Sequence, residues 1–106
     1  MLRLTQTSRG NEGMYLSLEL EKIVLKLYVA GRAPNSQRAR SNLDKILEQN
    51  KPERFDLEII DILENPMQAI KDGIMVTPTL CKIAPLPRVE ILGNLSDMEK
   101  VIQSLE

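Results

Sequence analysis

The chain has 106 residues, with 14 Lys and Arg against 15 Asp and Glu, so its formal net charge is −1. A chain of this length builds one domain around one core, and its 42% hydrophobic residues are typical of a folded globular protein. The small net charge and the 3% aromatic content argue against nucleic acid as a partner, because neither a cationic surface nor a set of stacking rings is available.

The cysteine and histidine content limits the disulfide and metal chemistry that the chain can support. Cys81 is the single cysteine and the chain has no histidine, so neither an intrachain disulfide nor a usual zinc ligand set can form. We therefore expect no metal site and no cofactor. No apolar run reaches the roughly 20 residues of a membrane-spanning helix, so we expect a cytoplasmic protein with no membrane partner.

Residues 1–20 are polar and rich in turn residues around Gly10 and Gly13. They show no sustained periodicity, which predicts a polar N-terminal extension that is frayed or partly ordered and lies outside the core. The remaining residues, 21–106, are predicted to form the folded domain.

A run rich in Val, Leu and Ile from Lys22 to Ala30 predicts a long buried strand. One face of this strand is entirely aliphatic, whereas Lys26 lies on the other face between Val24 and Tyr28. A lysine in mid-strand cannot be sealed in apolar packing without a partner or water, so this second face should be thinly covered by helices. Alternatively, Lys26 snorkels past its neighbours to solvent and has no function.

A turn from Gly31 to Ser36 leads into a helix, with Asn35 or Ser36 as the predicted N-cap. The apolar stripe of this helix consists of Ala39, Leu43, Ile46 and Leu47. The helix ends before Pro52, which cannot continue it. Phe55 to Leu63 predicts a second strand, and the strand–helix–strand order implies a parallel pair with a right-handed crossover.

Asn65 and Pro66 begin a second, short helix that ends near Gly73. Pro78 then stands between two β-branched residues at the entry to a third strand, Thr79 to Ala84. Because a proline removes a ladder donor, Pro78 either follows a cis peptide bond, as in thioredoxin-like domains, or is trans at the start of an edge strand.

A fourth strand from Arg88 to Leu92 follows through Pro85-Leu86-Pro87, and so short a link favours an antiparallel hairpin. Ser96 to Glu99 has the spacing of a capping box, which predicts the start of a final helix. The resulting α/β order is β-α-β-α-β-β-α with a mixed four-stranded sheet, and it resembles the thioredoxin-like fold.

Oxidoreductases with the thioredoxin-like fold carry two cysteines where the first strand meets the first helix, so that the helix N-terminus stabilises a thiolate. This chain has Ala33-Pro34-Asn35-Ser36 at that point, without a thiol, which excludes disulfide exchange through this segment. Cys81 is instead predicted to be a small buried hydrophobe in the third strand.

Several strings together resemble the KaiB family of clock proteins, over about residues 22–105. They are Lys26-Leu27-Tyr28-Val29-Ala30-Gly31, Pro34-Asn35-Ser36, Asn65-Pro66, Thr77-Pro78-Thr79-Leu80 with Lys82, and Gly93-Asn94-Leu95-Ser96-Asp97. Residues 1–20 lie outside the resemblance. The chain departs from the family pattern at Arg88-Val89-Glu90, where family members usually carry a basic pair.

The resemblance implies a non-enzymatic protein that binds the KaiC ring, an autophosphorylating ATPase, and modulates its phosphorylation in a circadian clock or a related stress or timing system. It also implies two folds for the chain. One is a resting oligomer, such as a dimer or tetramer, in which the second half of the chain is rearranged. The other is a thioredoxin-like monomer that binds the partner, and two such packings differ by only a few kcal/mol.

Four basic residues are the predicted partner-binding residues. Lys26 and Lys82 are predicted to project from the same thinly covered sheet face, and Arg32 and Arg38 to lie near one end of the first helix. Of these, Lys82 and Arg38 match basic positions that the family uses or places near its partner surface. A solvated charged face without a partner is the ordinary alternative.

The residues leave two other functions open. Ser36 at a helix start and Thr77 beside Pro78 are compatible with a thiol-free module that binds glutathione or a peptide, although a serine at that position more often caps the helix. A structural oligomer that associates through the open sheet face is the third hypothesis.

Overall fold

A computed structural model describes residues 2–8, 14–20 and 22–106 of the chain. In chain order the strands and helices are β1 (Leu2–Ser8), β2 (Met14–Leu20), β3 (Ile23–Val29), α1 (Pro34–Gln49), β4 (Phe55–Asp61), α2 (Pro66–Lys71), β5 (Thr79–Ala84), β6 (Val89–Leu92) and α3 (Met98–Leu105). A short 3-10 turn, Pro52–Arg54, precedes β4. From β3 onward, every strand and helix that the apolar pattern predicts is present.

The strands from β3 onward form one mixed sheet with the order β4-β3-β5-β6. β3 pairs in parallel with β4, so that Leu25 lies opposite Leu57. β3 and β5 are antiparallel, as are β5 and β6. The topology confirms the predicted mixed sheet, the parallel crossover pair and the hairpin. It is the thioredoxin-like arrangement, without the rearranged second half of the alternative fold.

α1 and α3 cover one face of this sheet and enclose the main core. Leu25 and Leu27 of β3, Leu43 of α1 and Val101 of α3 are at most 3% exposed and belong to one apolar cluster. Burying an aliphatic side chain of this size stabilises the fold by about 1.5–3 kcal/mol. Among the residues whose burial the structure describes, this core face holds the larger apolar cluster.

The opposite face of the sheet, which we call the α2 face, is thinly covered. It carries a smaller cluster of Tyr28, Ile60 and Cys81, each at most 5% exposed. α2 covers this cluster with only six residues, of which Ala69 is the buried one. The prediction of one thinly covered face is confirmed, and Cys81 is a buried free cysteine as expected.

The N-terminal segment contains two strands that the sequence analysis did not predict. β1 and β2 pair antiparallel in a separate two-stranded sheet, with Leu2 opposite Leu20. The prediction of a polar extension that is frayed or partly ordered did not include these strands. Apolar and polar residues alternate along β2, and this strand signal was outweighed by the neighbouring turn residues. Residues 9–13 lie outside the described residues, and a domain boundary after residue 20 stays a prediction.

The start of α1 differs from the prediction. The helix begins at Pro34, behind Ala33, whose side chain makes no capping hydrogen bond. The hydroxyl of Ser36 instead accepts a hydrogen bond from the N–H of Ala30 at 3.0 Å. The prediction of Asn35 or Ser36 as the N-cap was wrong because Pro34 is accommodated in the first helical turn, where its missing N–H costs nothing.

The start of α3 differs by one residue. Asp97 is the N-cap and accepts a hydrogen bond from the N–H of Lys100 at 3.2 Å, in place of the predicted Ser96. The helix itself is confirmed, with Val101 and Leu105 buried. In the described ranges of the chain, no helix combines the length and the apolar character that crossing a bilayer requires.

Candidate protein-docking surface

The α2 face combines its apolar cluster with a group of hydrogen-bonded side chains around Asp72, the C-cap residue of α2. The Asp72 carboxylate accepts hydrogen bonds from the Tyr28 hydroxyl on β3 and from the Gln68 side-chain amide, the latter at 2.9 Å. Both bonds favour the charged carboxylate. The pKa of Asp72 therefore lies below its ordinary value, with the Gln68 hydrogen bond as the largest cause.

Tyr28 holds its hydroxyl inside the protein. The residue has no exposed surface. Burial raises the pKa of the Tyr28 phenol above its ordinary value, and the hydrogen bond to Asp72 raises it further. Tyr28 is therefore a neutral hydrogen-bond donor to Asp72 throughout the physiological pH range.

Arg88, which directly precedes β6, reaches back over the same cluster. Its Nη2 donates to the backbone carbonyl of Asp72 at 3.3 Å and to the Sγ of Cys81 at 3.8 Å. The same nitrogen forms an ion pair with Oε1 of Glu90 at 3.1 Å. Burial raises the pKa of the Cys81 thiol, which keeps the sulfur neutral. The guanidinium thus joins the segment before β6 to the end of α2.

Alkaline titration tests the burial of Tyr28. A tyrosine whose pKa is raised by folding stabilises the folded state below the unfolded-chain pKa of about 10, and this contribution is lost as the pH rises toward the folded-state value. A Tyr15→Phe variant retains Tyr28 as its sole tyrosine. We expect its tyrosine to ionise above about pH 10 and only together with unfolding, as followed by tyrosinate absorbance and circular dichroism in one titration. Ionisation near pH 10 in a folded chain would contradict the burial.

The outward side of α2 is apolar. Met67 and Ile70 are 67% and 69% exposed, and residues three apart share one side of a helix. Leu63 before the helix and Met75 and Val76 after it are also exposed. We call these five residues the α2 surface. Exposed large hydrophobic residues in such a group commonly mark a site that binds another protein.

Sequence reasoning missed the α2 surface because an apolar helix ordinarily indicates burial. A six-residue helix buries only one side, and α2 turns Ala69 toward the sheet. The signal that could have found the surface is side-chain size. The small Ala69 lies between the larger Met67 and Ile70, which are left for the outward side.

The structure separates Lys26 from Lys82. In the ladder between β3 and β5, Lys26 lies opposite Cys81, whereas Lys82 lies opposite Leu25. Directly opposite residues share a face, so Lys26 is on the α2 face and Lys82 is on the core face, where it is 4% exposed. The expectation that both lysines project from one open face was wrong, because the register between the strands decides which faces match.

Arg32 and Arg38 lie exposed around the N-terminal end of α1. Nη1 of Arg38 donates a hydrogen bond to Oδ1 of Asn35 at 3.0 Å. Because α1 covers the core face, Arg38 and Lys26 belong to opposite sides of the sheet. The four basic residues therefore do not form one patch, and their role in partner binding stays a prediction.

Of the two residues considered for glutathione, Ser36 is engaged within the fold. Ser36 is 1% exposed, and its hydroxyl accepts the N–H of Ala30. The Thr77–Pro78 peptide bond is cis, and the Pro78 carbonyl accepts a hydrogen bond from the N–H of Gly93 at 3.0 Å. The engagement of the Ser36 hydroxyl within the fold does not favour a glutathione site. Among the described residues, no three Cys, Asp or Glu side chains are placed to hold a metal ion.

Comparisons with known proteins agree with this fold and identify a family. A family model of the KaiB domain matches residues 26–106. The circadian clock oscillator protein KaiB of Cyanothece sp. is 53% identical over 83 residues, which cover 78% of this chain and 79% of that relative.

Two solved structures share the fold. The N-terminal domain of SasA from Synechococcus elongatus has a TM-score of 0.66 at 24% identity, covering 93% of this chain and 92% of that one. Chloroplastic thioredoxin z has a TM-score of 0.63 at 22% identity, covering 78% of each chain. These likenesses show the thioredoxin-like fold alone, whereas the family model and the sequence identity reach further: the chain belongs to the KaiB family.

Proposed function

We propose that this chain is a non-enzymatic regulator that binds a KaiC-type ring ATPase and modulates its phosphorylation, in a circadian clock or a related stress or timing system. Membership of the KaiB family supports the clock role. The observation that carries the binding role is the α2 surface, where five large apolar side chains stay exposed on and beside one short helix.

Docking through the α2 surface would remove apolar area from water. Met75 is 94% exposed and Val76 is 51% exposed. Burying a side chain of this kind contributes about 1.5–3 kcal/mol. Burial of all five side chains would contribute a free energy of the same order as the roughly 4–15 kcal/mol that association costs in lost translational and rotational freedom. The surface is therefore large enough to serve as the apolar centre of an interface with a polar rim.

The basic residues have a different role in this proposal. Lys26 lies on the α2 face and steers an acidic partner surface toward the α2 surface before contact is made, while Arg32 and Arg38 would meet the partner at the end of α1. Lys82 is buried in this arrangement, so it would meet a partner only after a rearrangement of the second half of the chain.

The proposal also implies where in the cell the interaction takes place. A ring ATPase works where ATP is available, so we place the encounter in the cytoplasm. Self-association as a dimer or tetramer would compete with the ATPase if it buried the α2 surface.

Mixing the purified chain with the KaiC-type ATPase of the same organism tests the proposal. With ATP present, we expect the two proteins to co-elute in size-exclusion chromatography. The phosphorylated fraction of the ATPase should follow a different time course than it does alone. Light scattering on the free chain reports self-association and so shows whether the surface is already occupied. A monomeric chain that neither co-elutes nor alters phosphorylation would refute the proposal.

A further inference from the structure

Asp72 is the point at which three separate segments meet on the α2 face. Tyr28 on β3 and Gln68 on α2 donate to its carboxylate, and Arg88 before β6 donates to its carbonyl. Tyr28 lies 44 residues away along the chain and Arg88 lies 16 residues away. The contacts of Asp72 are therefore tertiary contacts that join α2 to β3 and to the segment before β6.

α2 has little else to hold it on the sheet. It has six residues with one buried side chain, Ala69, and a helix of this length is not stable by itself. Ile74, just beyond the helix, adds partly buried apolar contact with the cluster underneath. Met67 and Ile70 are exposed, so their apolar area does not attach the helix to the sheet. Much of the attachment of α2 must come from Asp72.

We propose that Tyr28 and Arg88, acting through Asp72, form a latch that holds α2 on the sheet and so fixes the orientation of the α2 surface. Both are positioning residues, because neither belongs to the α2 surface. Tyr28 binds the carboxylate from within the sheet, and Arg88 binds the carbonyl from the segment before β6. The effect of the latch on a partner rests on the proposed function, whereas the latch itself does not.

The two contacts differ in strength. Tyr28 is fully buried, so water does not compete for its hydroxyl. The Arg88 side chain is 45% exposed, and its bonds compete with water and salt. The ion pair with Glu90 at 3.1 Å keeps the guanidinium near the cluster. Tyr28 therefore contributes more than Arg88 to holding α2 on the sheet.

Hydrogen exchange at the end of α2 tests the latch. The reporters are the N–H groups of Asp72 and Ile74, which donate to carbonyls of α2 at 3.0 and 2.9 Å. Tyr28→Phe removes the hydroxyl and keeps the ring, and we expect exchange at the reporters to be about tenfold faster, as for one lost hydrogen bond to a charged group. Arg88→Gln should accelerate exchange by a smaller factor. Arg88→Lys, which restores the charge, should fall between Arg88→Gln and the unmodified chain.

The controls lie on the other side of the sheet. The N–H of Asn50 donates a hydrogen bond to a carbonyl at the end of α1. This hydrogen bond can open while the latch stays intact, so exchange at Asn50 should not change in these variants. Arg40→Gln removes an arginine from α1 and should leave exchange at Asp72 and Ile74 unchanged. If Tyr28→Phe and Arg88→Gln also leave the two reporters unchanged, the latch is refuted.

Partner affinity tests the positioning effect. Opening α2 breaks both contacts, so Tyr28→Phe combined with Arg88→Gln should multiply the two accelerations. Apparent affinity falls with the fraction of molecules in which α2 is closed, so we expect the double variant to bind the KaiC-type ATPase more weakly by the factor by which hydrogen exchange shows this fraction to have fallen. If exchange shows that α2 is largely released and the affinity is unchanged, the positioning effect is refuted.

If the unmodified chain fails to bind, the proposed function fails, while the exchange rates still show whether the latch exists. If the double variant does not fold, the single variants still decide it.

Discussion

Replacement of both Met67 and Ile70 by glutamate is expected to weaken binding to the KaiC-type ATPase by about 100-fold or more. Both side chains are more than 60% exposed on the outward side of α2. Losing an anchor residue at the centre of an interface typically costs about 1–2 kcal/mol or more, and two such losses correspond to roughly two powers of ten in affinity. The new carboxylates would add a desolvation cost on burial.

The same double variant should be as stable as the unmodified chain. Glutamate is a good helix former, and exposed substitutions usually change the free energy of unfolding by no more than about 0.5 kcal/mol. Titration of a fluorescently labelled chain with the ATPase measures the affinity, and urea denaturation measures the stability. Leu92→Glu is the matched control, because Leu92 is 62% exposed on β6 and lies outside the α2 surface. Equal affinities for the double variant and the Leu92→Glu control would contradict docking through α2.

Leu43→Ala is expected to have the largest effect on stability, lowering the free energy of unfolding by about 2–5 kcal/mol. Leu43 has no exposed surface and belongs to the core cluster beneath α1. Its truncation removes buried apolar area and leaves a cavity against β3. Because domains of this size are stable by only about 5–15 kcal/mol in total, the variant should show a clearly lower urea midpoint.

Leu63→Ala provides the comparison for Leu43→Ala. It is the same substitution at a side chain that is 70% exposed, so it should change the free energy of unfolding by no more than about 0.5 kcal/mol. Circular dichroism during urea denaturation measures both variants. Equal losses of stability at Leu43 and Leu63 would show that α1 does not seal the core face as described.

The features that could be predicted from the sequence depend on local signals. The β-branched run before Gly31 predicts β3, and Pro66 marks the first position of α2. The short link through Pro85-Leu86-Pro87 favours a hairpin, and β5 and β6 do pair antiparallel. A mid-strand lysine predicts thin cover on one face, and among the described helices only the short α2 covers that face.

The features that could not be predicted depend on pairing between distant residues. Lys26 and Lys82 are each in mid-strand, but their relative faces follow from the register of β3 against β5, which includes an irregularity between Val24 and Leu25. The contacts of Asp72 with Tyr28 and Arg88 likewise require the finished sheet. Neither is encoded by the spacing of residues within one element.

The position of β3 in the sheet has a consequence for how the two halves of the chain are held together. On one side β3 continues through α1 into β4, and the parallel β3–β4 ladder joins these elements into a β-α-β unit. On the other side, the ladder from Tyr28 opposite Thr79 to Val24 opposite Ala84 joins this unit to β5. The later elements are also attached through α3, whose Val101 packs in the same core cluster as Leu43 of α1, and through the side-chain amide of Asn42, which donates to the Asn94 carbonyl at 2.7 Å. The second half of the molecule is therefore held to the β-α-β unit on both faces of the sheet as well as along the β3–β5 ladder.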